Sequence, residues 1–157
     1  MRILITGGAG CLGSNLIEHW LPKGHSIYVL DNFATGKREV VPEVDGLKVV
    51  EGSIADANAL EQAFSSFKPE VVVHAAAAYK DPDDWVEDSC TNVIGSALVA
   101  KAVKQYGVKR LVNFQTALCY GRPNQMPIPA DHPTAPFTSY GITKTAGEQF
   151  MLLSGVP

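Results

Sequence analysis

Short apolar runs alternate along the chain with longer stretches in which apolar residues recur every three or four positions. Five of the short runs predict β-strands: Arg2 to Thr6, Ser26 to Leu30, Leu47 to Glu51, Glu70 to His74 and Lys109 to Gln115. The three consecutive valines of the fourth run are typical of a strand buried on both faces. The alternation predicts an α/β fold with a doubly wound parallel sheet and helices on both of its faces.

Helices are predicted between these runs. Leu60, Phe64 and Phe67, for example, fall on one helical face. The predicted helices are Cys11 to Lys23, Ala57 to Phe67, Asp84 to Tyr106, and a last one that is capped by Thr138 or Ser139 and reaches Leu153. Residues 121–136 hold five of the ten prolines, which predicts a loop before the last helix.

The composition excludes several classes of protein. A length of 157 residues suffices for one core, so we expect a single domain spanning residues 1–157. The net charge is -3 and no block of like charge occurs, which argues against nucleic-acid and membrane partners. No apolar run is long enough for a signal peptide or a membrane span, so we expect a cytoplasmic protein. The three cysteines and four histidines lack ligand spacing, and no metal site is expected.

The first strand is followed by a glycine-rich turn that can be read in two ways. Gly8, Gly10 and Gly13 fit G-x-G-x-x-G, the dinucleotide fingerprint, whereas Gly7, Gly10 and Gly13 fit a wider spacing. In both readings the missing side chains let the backbone approach a pyrophosphate at the N-terminus of a helix. A tight turn that binds nothing is the alternative.

Asp31 follows about 20 residues later, at the end of the second predicted strand. A carboxylate at this place accepts hydrogen bonds from the adenosine ribose and repels a 2'-phosphate, which favours NAD over NADP. Lys37 and Arg38 complicate this choice, because a basic pair near the strand end can hold a 2'-phosphate.

Three residues in the C-terminal third of the chain are candidates for catalysis. Tyr140 and Lys144 are four residues apart and lie on one face of the last predicted helix. A free tyrosine has a pKa of about 10, and a nearby ammonium group together with an oxidised nicotinamide would lower it toward neutrality. Thr116 comes directly after the fifth strand, at the sheet edge where open α/β sheets bind ligands. A surface Tyr-Lys pair without function is the alternative.

Six segments together resemble the extended short-chain dehydrogenase/reductase family, most closely its nucleotide-sugar epimerases and dehydratases and in particular bacterial UDP-sugar 4-epimerases that serve surface-polysaccharide synthesis. The segments are TGGAGCLG, the acidic residue of DNF, HAAA at 74–77, TNVIG around Asn92, TALCYG and YGITK. The resemblance implies a Rossmann-like NAD-binding domain. It also implies that Gly7, Gly10 and Gly13 are the relevant glycines and that Gly8 is incidental.

The resemblance implies a role for each matching position. The pyrophosphate would lie against Gly7, Gly10, Cys11, Leu12 and Gly13, and the adenosine ribose against Asp31, Asn32, Thr35 and Gly36. Ser53 and Ile54 would lie by the adenine, although the family usually has an aspartate at the position of Ser53. Ala75, Ala76 and Ala77 would pass close to the cofactor, Asn92 would order the active-site backbone or be an ordinary polar helix residue, and His74 would be structural.

The implied reaction is an internal redox cycle on a UDP-sugar. Tyr140 would take the proton of the sugar 4-hydroxyl while hydride passes to NAD. Thr116 would form a hydrogen bond with the same oxygen, and Lys144 would lower the pKa of Tyr140 and bind the nicotinamide ribose. Return of hydride to the other face of the 4-keto sugar inverts C4. Dehydratases of the family usually carry an acidic pair where this chain has Ala117 and Leu118, which favours epimerisation over dehydration. A simple reductase and a decarboxylase stay open as alternatives.

Family members are typically about twice as long and have a C-terminal substrate-binding region. We therefore expect a truncated chain that lacks most of the sugar-nucleotide site, with a non-catalytic NAD-binding module as the competing hypothesis. The resemblance also implies a homodimer through the long helix and the Tyr-Lys helix. Lys80, Arg122 and the acidic stretch DPDDWVED could border the substrate, although the stretch is equally explained as the start of a helix.

Overall fold

Five parallel strands form one sheet in the order β3-β2-β1-β4-β5 in the computed structural model, which describes residues 1–157. The strands are β1 (Arg2–Thr6), β2 (Ser26–Asp31), β3 (Leu47–Glu51), β4 (Val71–His74) and β5 (Arg110–Asn113). The chain reverses its direction of progress between β3 and β4, so that the carboxyl ends of β1 and β4 flank a topological switch point, which is where sheets of this kind bind ligands.

Helices cover both faces of the sheet. They are α1 (Cys11–Trp20), α2 (Ala57–Phe67), α3 (Trp85–Asp88), α4 (Ser96–Gln105) and α5 (Ser139–Leu153). One buried cluster joins Leu4 and Leu30 of the sheet to Phe64 of α2, Val99 of α4 and Met151 of α5. A second cluster on the opposite face joins Ile5 and Val29 to Ile17 of α1. The predicted doubly wound parallel sheet with helices on both faces is confirmed.

The predicted elements and the observed ones differ at identifiable places. The first helix tightens to a 3₁₀ turn over Leu21–Lys23, where Pro22 lacks the N–H that an α-turn needs. The predicted helix from Asp84 to Tyr106 is helical throughout but is interrupted by a π-helical stretch, Ser89–Gly95, which we call the π segment. Two short 3₁₀ helices, Arg38–Val40 and Ala117–Tyr120, were not predicted. None of the helices is long and apolar enough to cross a membrane.

The N-terminal ends of α2 and α5 are fixed by side-chain caps. Asp56 accepts a hydrogen bond from the backbone N–H of Asn58 at 2.8 Å, and Thr138 accepts one from that of Gly141 at 3.0 Å. Such caps satisfy helix N–H groups that have no partner within the helix. The predicted cap Thr138 is therefore confirmed, and the loop before it leads directly into α5.

His74 ties the sheet to α4. Its ring is fully buried, with Nδ1 2.8 Å from the Thr6 hydroxyl of β1 and Nε2 3.1 Å from the Ser96 hydroxyl of α4. Burial, followed by the positive charge of Lys144, lowers the pKa of His74 from 6.5 to about 3. The residue is neutral at physiological pH, which confirms the prediction of a structural histidine.

Acid is expected to destabilise the fold through His74. Below pH 6.5 the unfolded chain takes up a proton at this residue while the folded chain does not, so the free energy of unfolding falls by about 1–2 kcal/mol between pH 7 and pH 5. Urea denaturation at several pH values measures this slope. His74→Gln should flatten the slope, whereas His19→Gln, a change at an exposed histidine, should leave it as in the wild type. Equal slopes in all three proteins would contradict the assignment.

Candidate functional site

A cavity of about 420 Å³ lies at the carboxyl ends of the strands. Its wall consists of the turn after β1, the end of β2 and the segments after β3 and β4, and Tyr140 of α5 closes one side. Most of the residues predicted to bind the cofactor lie in this wall: Gly7, Gly10, Cys11, Leu12, Asp31, Asn32, Thr35, Gly36, Ser53, Ile54, Ala75, Ala76, Ala77 and Tyr140.

The glycine-rich turn brings backbone segments into direct contact. Gly7 has a φ of +71°, and a Cβ on it would stand 2.6 Å from the backbone nitrogen of Ala76. A Cβ on Gly13 would stand 2.4 Å from the Cα of Gly8. The N-terminal end of α1 lies at the cavity wall, and no side chain caps the helix at Gly10. Its first backbone N–H groups can therefore donate hydrogen bonds to an anion in the cavity.

Gly8 is not incidental, which corrects the expectation from the sequence. A Cβ on it would lie 2.7 Å from both methyl groups of Val29 on β2. Gly8 thus lets the turn pack against the sheet, while Gly7 and Gly10 line the cavity. The two glycines that distinguish the spacings thus have different roles, Gly8 in packing and Gly7 in the cavity wall.

Asp31 shapes the turn as well as the cavity. One carboxylate oxygen accepts a hydrogen bond from the N–H of Ala9 and the other from the N–H of Phe33, both at 2.8 Å. These bonds join the turn after β1 to the segment after β2 and keep the carboxylate in place. Lys37 and Arg38 do not line this cavity; the Arg38 guanidinium pairs with Glu43 at 3.0 Å.

Tyr140 and Lys144 lie on consecutive turns of α5. Tyr140 is half-buried in the cavity wall, and its ring centroid lies 6.1 Å from that of Tyr79. Lys144 is only 5% exposed and takes no part in the three ion pairs of the chain. Burial lowers the pKa of Lys144, and Glu148 partly offsets this.

The pKa of Tyr140 is raised in this chain, against the expectation from the sequence. The largest cause is burial, followed by the electrostatic effects of Tyr79 and Asp88. Loss of solvation of the phenolate is thus the main effect, and Lys144 one turn away is not among the groups that shift the pKa of Tyr140. The expected lowering depends in part on the charge of an oxidised nicotinamide, which is not a property of the chain.

Four predicted site residues lie outside the cavity wall. Gly13 packs against Gly8, and Lys144 is buried one turn after Tyr140 in α5. Thr116 caps the short helix after β5, where its hydroxyl accepts a hydrogen bond from the N–H of Leu118 at 3.2 Å. The fourth residue, Asn92, acts through the backbone.

Asn92 lies in the π segment and is 1% exposed. Its side chain accepts a hydrogen bond from the N–H of Ala78 and donates one to the carbonyl of the same residue, both at 2.9 Å, and it donates another to Thr143 at 3.1 Å. It thereby orders the backbone that follows β4, rather than lying at the cavity surface. An ordinary polar helix face would not be buried in this way.

The cavity wall also contains residues that sequence reasoning did not single out. Tyr79 follows the carboxyl end of β4, and no motif marks it. Thr91 lies in the π segment and belongs to the TNVIG motif, in which only Asn92 was given a role. Lys80 and part of the acidic stretch, Asp81, Asp84, Glu87 and Asp88, line the cavity as suggested. Arg122 does not, since its guanidinium lies over the ring of Phe137 at 5.3 Å. No cluster of three or more His, Cys, Asp or Glu side chains is arranged to hold a metal ion.

Comparison with known proteins identifies relatives along the whole chain. Residues 3–154 match the model of the NAD dependent epimerase/dehydratase family. A UDP-glucose 4-epimerase of Corynebacterium glutamicum is 37% identical over 150 residues, which are 92% of this chain and 44% of that protein. The chain spans about half the length of the curated relatives it matches.

Solved structures agree with the described fold. The Bordetella bronchiseptica enzyme WbmG in complex with NAD has a TM-score of 0.98 and 74% sequence identity, over all of this chain and 51% of that one. A Thermotoga maritima UDP-glucose 4-epimerase with UDP-glucose has a TM-score of 0.92 and 32% identity, over 99% of this chain and 51% of that one.

Proposed function

Because the chain belongs to the NAD-dependent epimerase/dehydratase family, we propose that it forms the cofactor-binding and proton-transferring part of an NAD-dependent UDP-sugar 4-epimerase. One observation carries the proposal: Tyr140 lies in the same cavity wall as the glycine-rich turn and Asp31. A group that can exchange a proton with a sugar hydroxyl thus shares one cavity with a dinucleotide-binding surface. The names of relatives, UDP-glucose 4-epimerases, and a WbmG complex with NAD and UDP support the same substrate class.

The residues of the cavity fit NAD. Gly7, Gly10, Cys11 and Leu12 would hold the pyrophosphate, since the turn leaves no side chain between it and the start of α1. Asp31 keeps lone pairs for the ribose hydroxyls although both of its oxygens accept backbone hydrogen bonds. The same buried carboxylate repels a 2'-phosphate, which favours NAD over NADP.

Tyr140 is the proposed acid and base of the reaction. Bound NAD would supply the redox chemistry, namely hydride exchange with the sugar C4. Tyr140 takes the proton of the 4-hydroxyl during oxidation and gives it back during reduction. Lys144 would stabilise the phenolate and bind the nicotinamide ribose. Thr116 can donate its hydroxyl hydrogen to the sugar oxygen, because in its hydrogen bond with Leu118 the hydroxyl oxygen is the acceptor.

Epimerisation is favoured over dehydration by the short helix that follows Thr116. Its first two residues, Ala117 and Leu118, carry no acid that could protonate a leaving hydroxyl. Since the chain spans about half of its relatives, the activity is proposed for the whole protein, and NAD binding for the chain.

We further propose that the protein is a homodimer. Val86 and Ile94 of the helical stretch from α3 to α4 and Ile142 and Leu153 of α5 are each at least half exposed, although they are large and apolar. Apolar side chains on two adjacent helices are typical of a surface that a second copy covers.

Loss of close packing at the glycine turn should weaken cofactor binding. In Gly13→Ala the new methyl group would displace the Gly8 backbone, and we expect the affinity for NAD to fall at least tenfold. Isothermal titration calorimetry on the 157-residue chain measures this, and circular dichroism verifies folding. Glu18→Ala, on the exposed side of the same helix, should bind as the wild type does. Wild-type affinity in Gly13→Ala would refute the assigned pyrophosphate site.

Removal of the phenol should stop turnover in the whole protein. For Tyr140→Phe we expect kcat for the interconversion of UDP-glucose and UDP-galactose to fall by about 10²–10⁴, with the affinity for NAD nearly unchanged. NMR of the sugar C4 follows the product. Tyr120→Phe, whose ring packs on His132 instead, is the control and should retain activity. Undiminished turnover by Tyr140→Phe would disprove the mechanism.

The proposed dimer is tested by light scattering. Ile94→Glu places a charge on the apolar surface and should yield a monomer, because a charge without a partner is costly to bury. Val44→Glu, at a comparably exposed position in the loop before β3, should remain dimeric. A wild-type chain that is monomeric at every concentration measured would contradict the proposal for this chain.

A further inference from the structure

Asp88 is a buried carboxylate at the C-terminal end of α3, directly before the π segment. It is 2% exposed, and one of its oxygens accepts a hydrogen bond from the Ser139 hydroxyl at 2.6 Å. Ser139 is the first residue of α5 and directly precedes Tyr140. Asp88 therefore contacts the turn of the helix that carries the proposed acid and base.

No cation neutralises this carboxylate. The three ion pairs of the chain involve Glu43 and Glu70 but not Asp88. A buried charge without a partner is costly, so its presence has to be offset by hydrogen bonds and nearby dipoles. Two such compensations are present, namely the short bond from Ser139 and the N-terminal end of α5, which favours a negative charge.

Asn92, four residues after Asp88, also holds the first turn of α5. Asn92 donates a hydrogen bond to the Thr143 hydroxyl, which in turn donates to the carbonyl of Ser139 at 2.8 Å. Asn92 also holds the backbone of Ala78, whereas Asp88 has no such second partner. The one hydrogen bond of its carboxylate is that from Ser139, and Asp88 lines the cavity together with Tyr140.

We propose that Asp88 is a positioning residue for the epimerisation proposed above: it fixes the first turn of α5 through Ser139 and places a negative charge in the cavity wall beside Tyr140. The raised pKa of Tyr140, to which Asp88 contributes, agrees with this placement. A negative charge at this place favours the protonated form of Tyr140.

Besides Asp88, the titratable group of Tyr79 influences the pKa of Tyr140, and others lie in the cavity wall and on α5. His74 is buried, is influenced by the charge of Lys144 and is neutral because of its low pKa. The other titratable groups of the cavity wall are Cys11, Asp31, Tyr79, Lys80, Asp81, Asp84 and Glu87, and α5 adds Lys144 and Glu148. Since none of these is altered in the variants below, their contribution stays constant.

The test separates the charge from the hydrogen bond. In Asp88→Asn the amide oxygen still accepts from Ser139 but the charge is gone, whereas in Ser139→Ala the charge remains and the bond is lost. The five tyrosines are labelled with ¹³C at the ring Cζ, and NMR of the 157-residue chain without cofactor gives the pKa of each. Tyr140→Phe identifies the resonance of Tyr140.

Asp88→Asn should lower the pKa of Tyr140 by about half a unit to one unit, and Ser139→Ala should not lower it. Ser139→Ala should instead increase amide hydrogen exchange in the first turn of α5. In the whole protein, the acid limb of the kcat profile should move to lower pH in Asp88→Asn, with KM little changed. A matched variant, Asp45→Asn in the loop before β3, should change none of these quantities.

The proposal is overturned if Asp88→Asn leaves the Tyr140 titration at its wild-type pH. Should that variant not fold, unchanged hydrogen exchange in Ser139→Ala overturns it instead. Because these readouts need neither NAD nor turnover, their failure is distinct from a failure of the proposed epimerase, which Tyr140→Phe kinetics decides.

Discussion

The structure depends on the close approach of backbone to backbone around the glycine turn. Gly7 meets the backbone that follows β4, Gly8 meets the side chain of Val29 on β2, and Gly13 meets Gly8. Each contact excludes a side chain, and together they bring α1 against the strand ends. The wall of the cavity there is consequently made of peptide groups, which are suited to the phosphates of a dinucleotide.

A second layer of buried polar side chains keeps the rest of the site in place. Asp31 binds the turn to the segment after β2, His74 joins β1 to α4, and Asn92 joins the segment after β4 to α5. Each of these side chains uses its hydrogen-bonding groups on two separate segments. Such networks are costly when incomplete and specify one arrangement when satisfied. The site is thus stabilised mainly by residues that do not touch the reacting atoms.

The sequence was sufficient to predict the sheet, because the strands lie at its apolar runs and the helices between them. Most of the cavity wall could also be predicted, since the glycine turn, Asp31 and Tyr140 carry recognisable spacing. The π segment could not, because one additional residue in a helical turn leaves the apolar pattern nearly unchanged. The packing role of Gly8 and the position of Thr116 depend on contacts between distant segments. The raised pKa of Tyr140 depends on burial, which spacing alone does not reveal.

The π segment separates two tasks within one continuous helical stretch. Upstream of it, Glu87 and Asp88 face the cavity; downstream, Val99 and Val103 pack on the sheet. Successive residues of a regular α-helix are rotated by about 100° about its axis. The wider π turn changes this rotation, so the side chains before it point in directions that differ from those a continuous α-helix would give them. Loss of a single residue here would turn the carboxylates away from the cavity while the valines kept their places. Length variation in this stretch is therefore a route by which related chains could change the chemistry of the cavity and preserve the core.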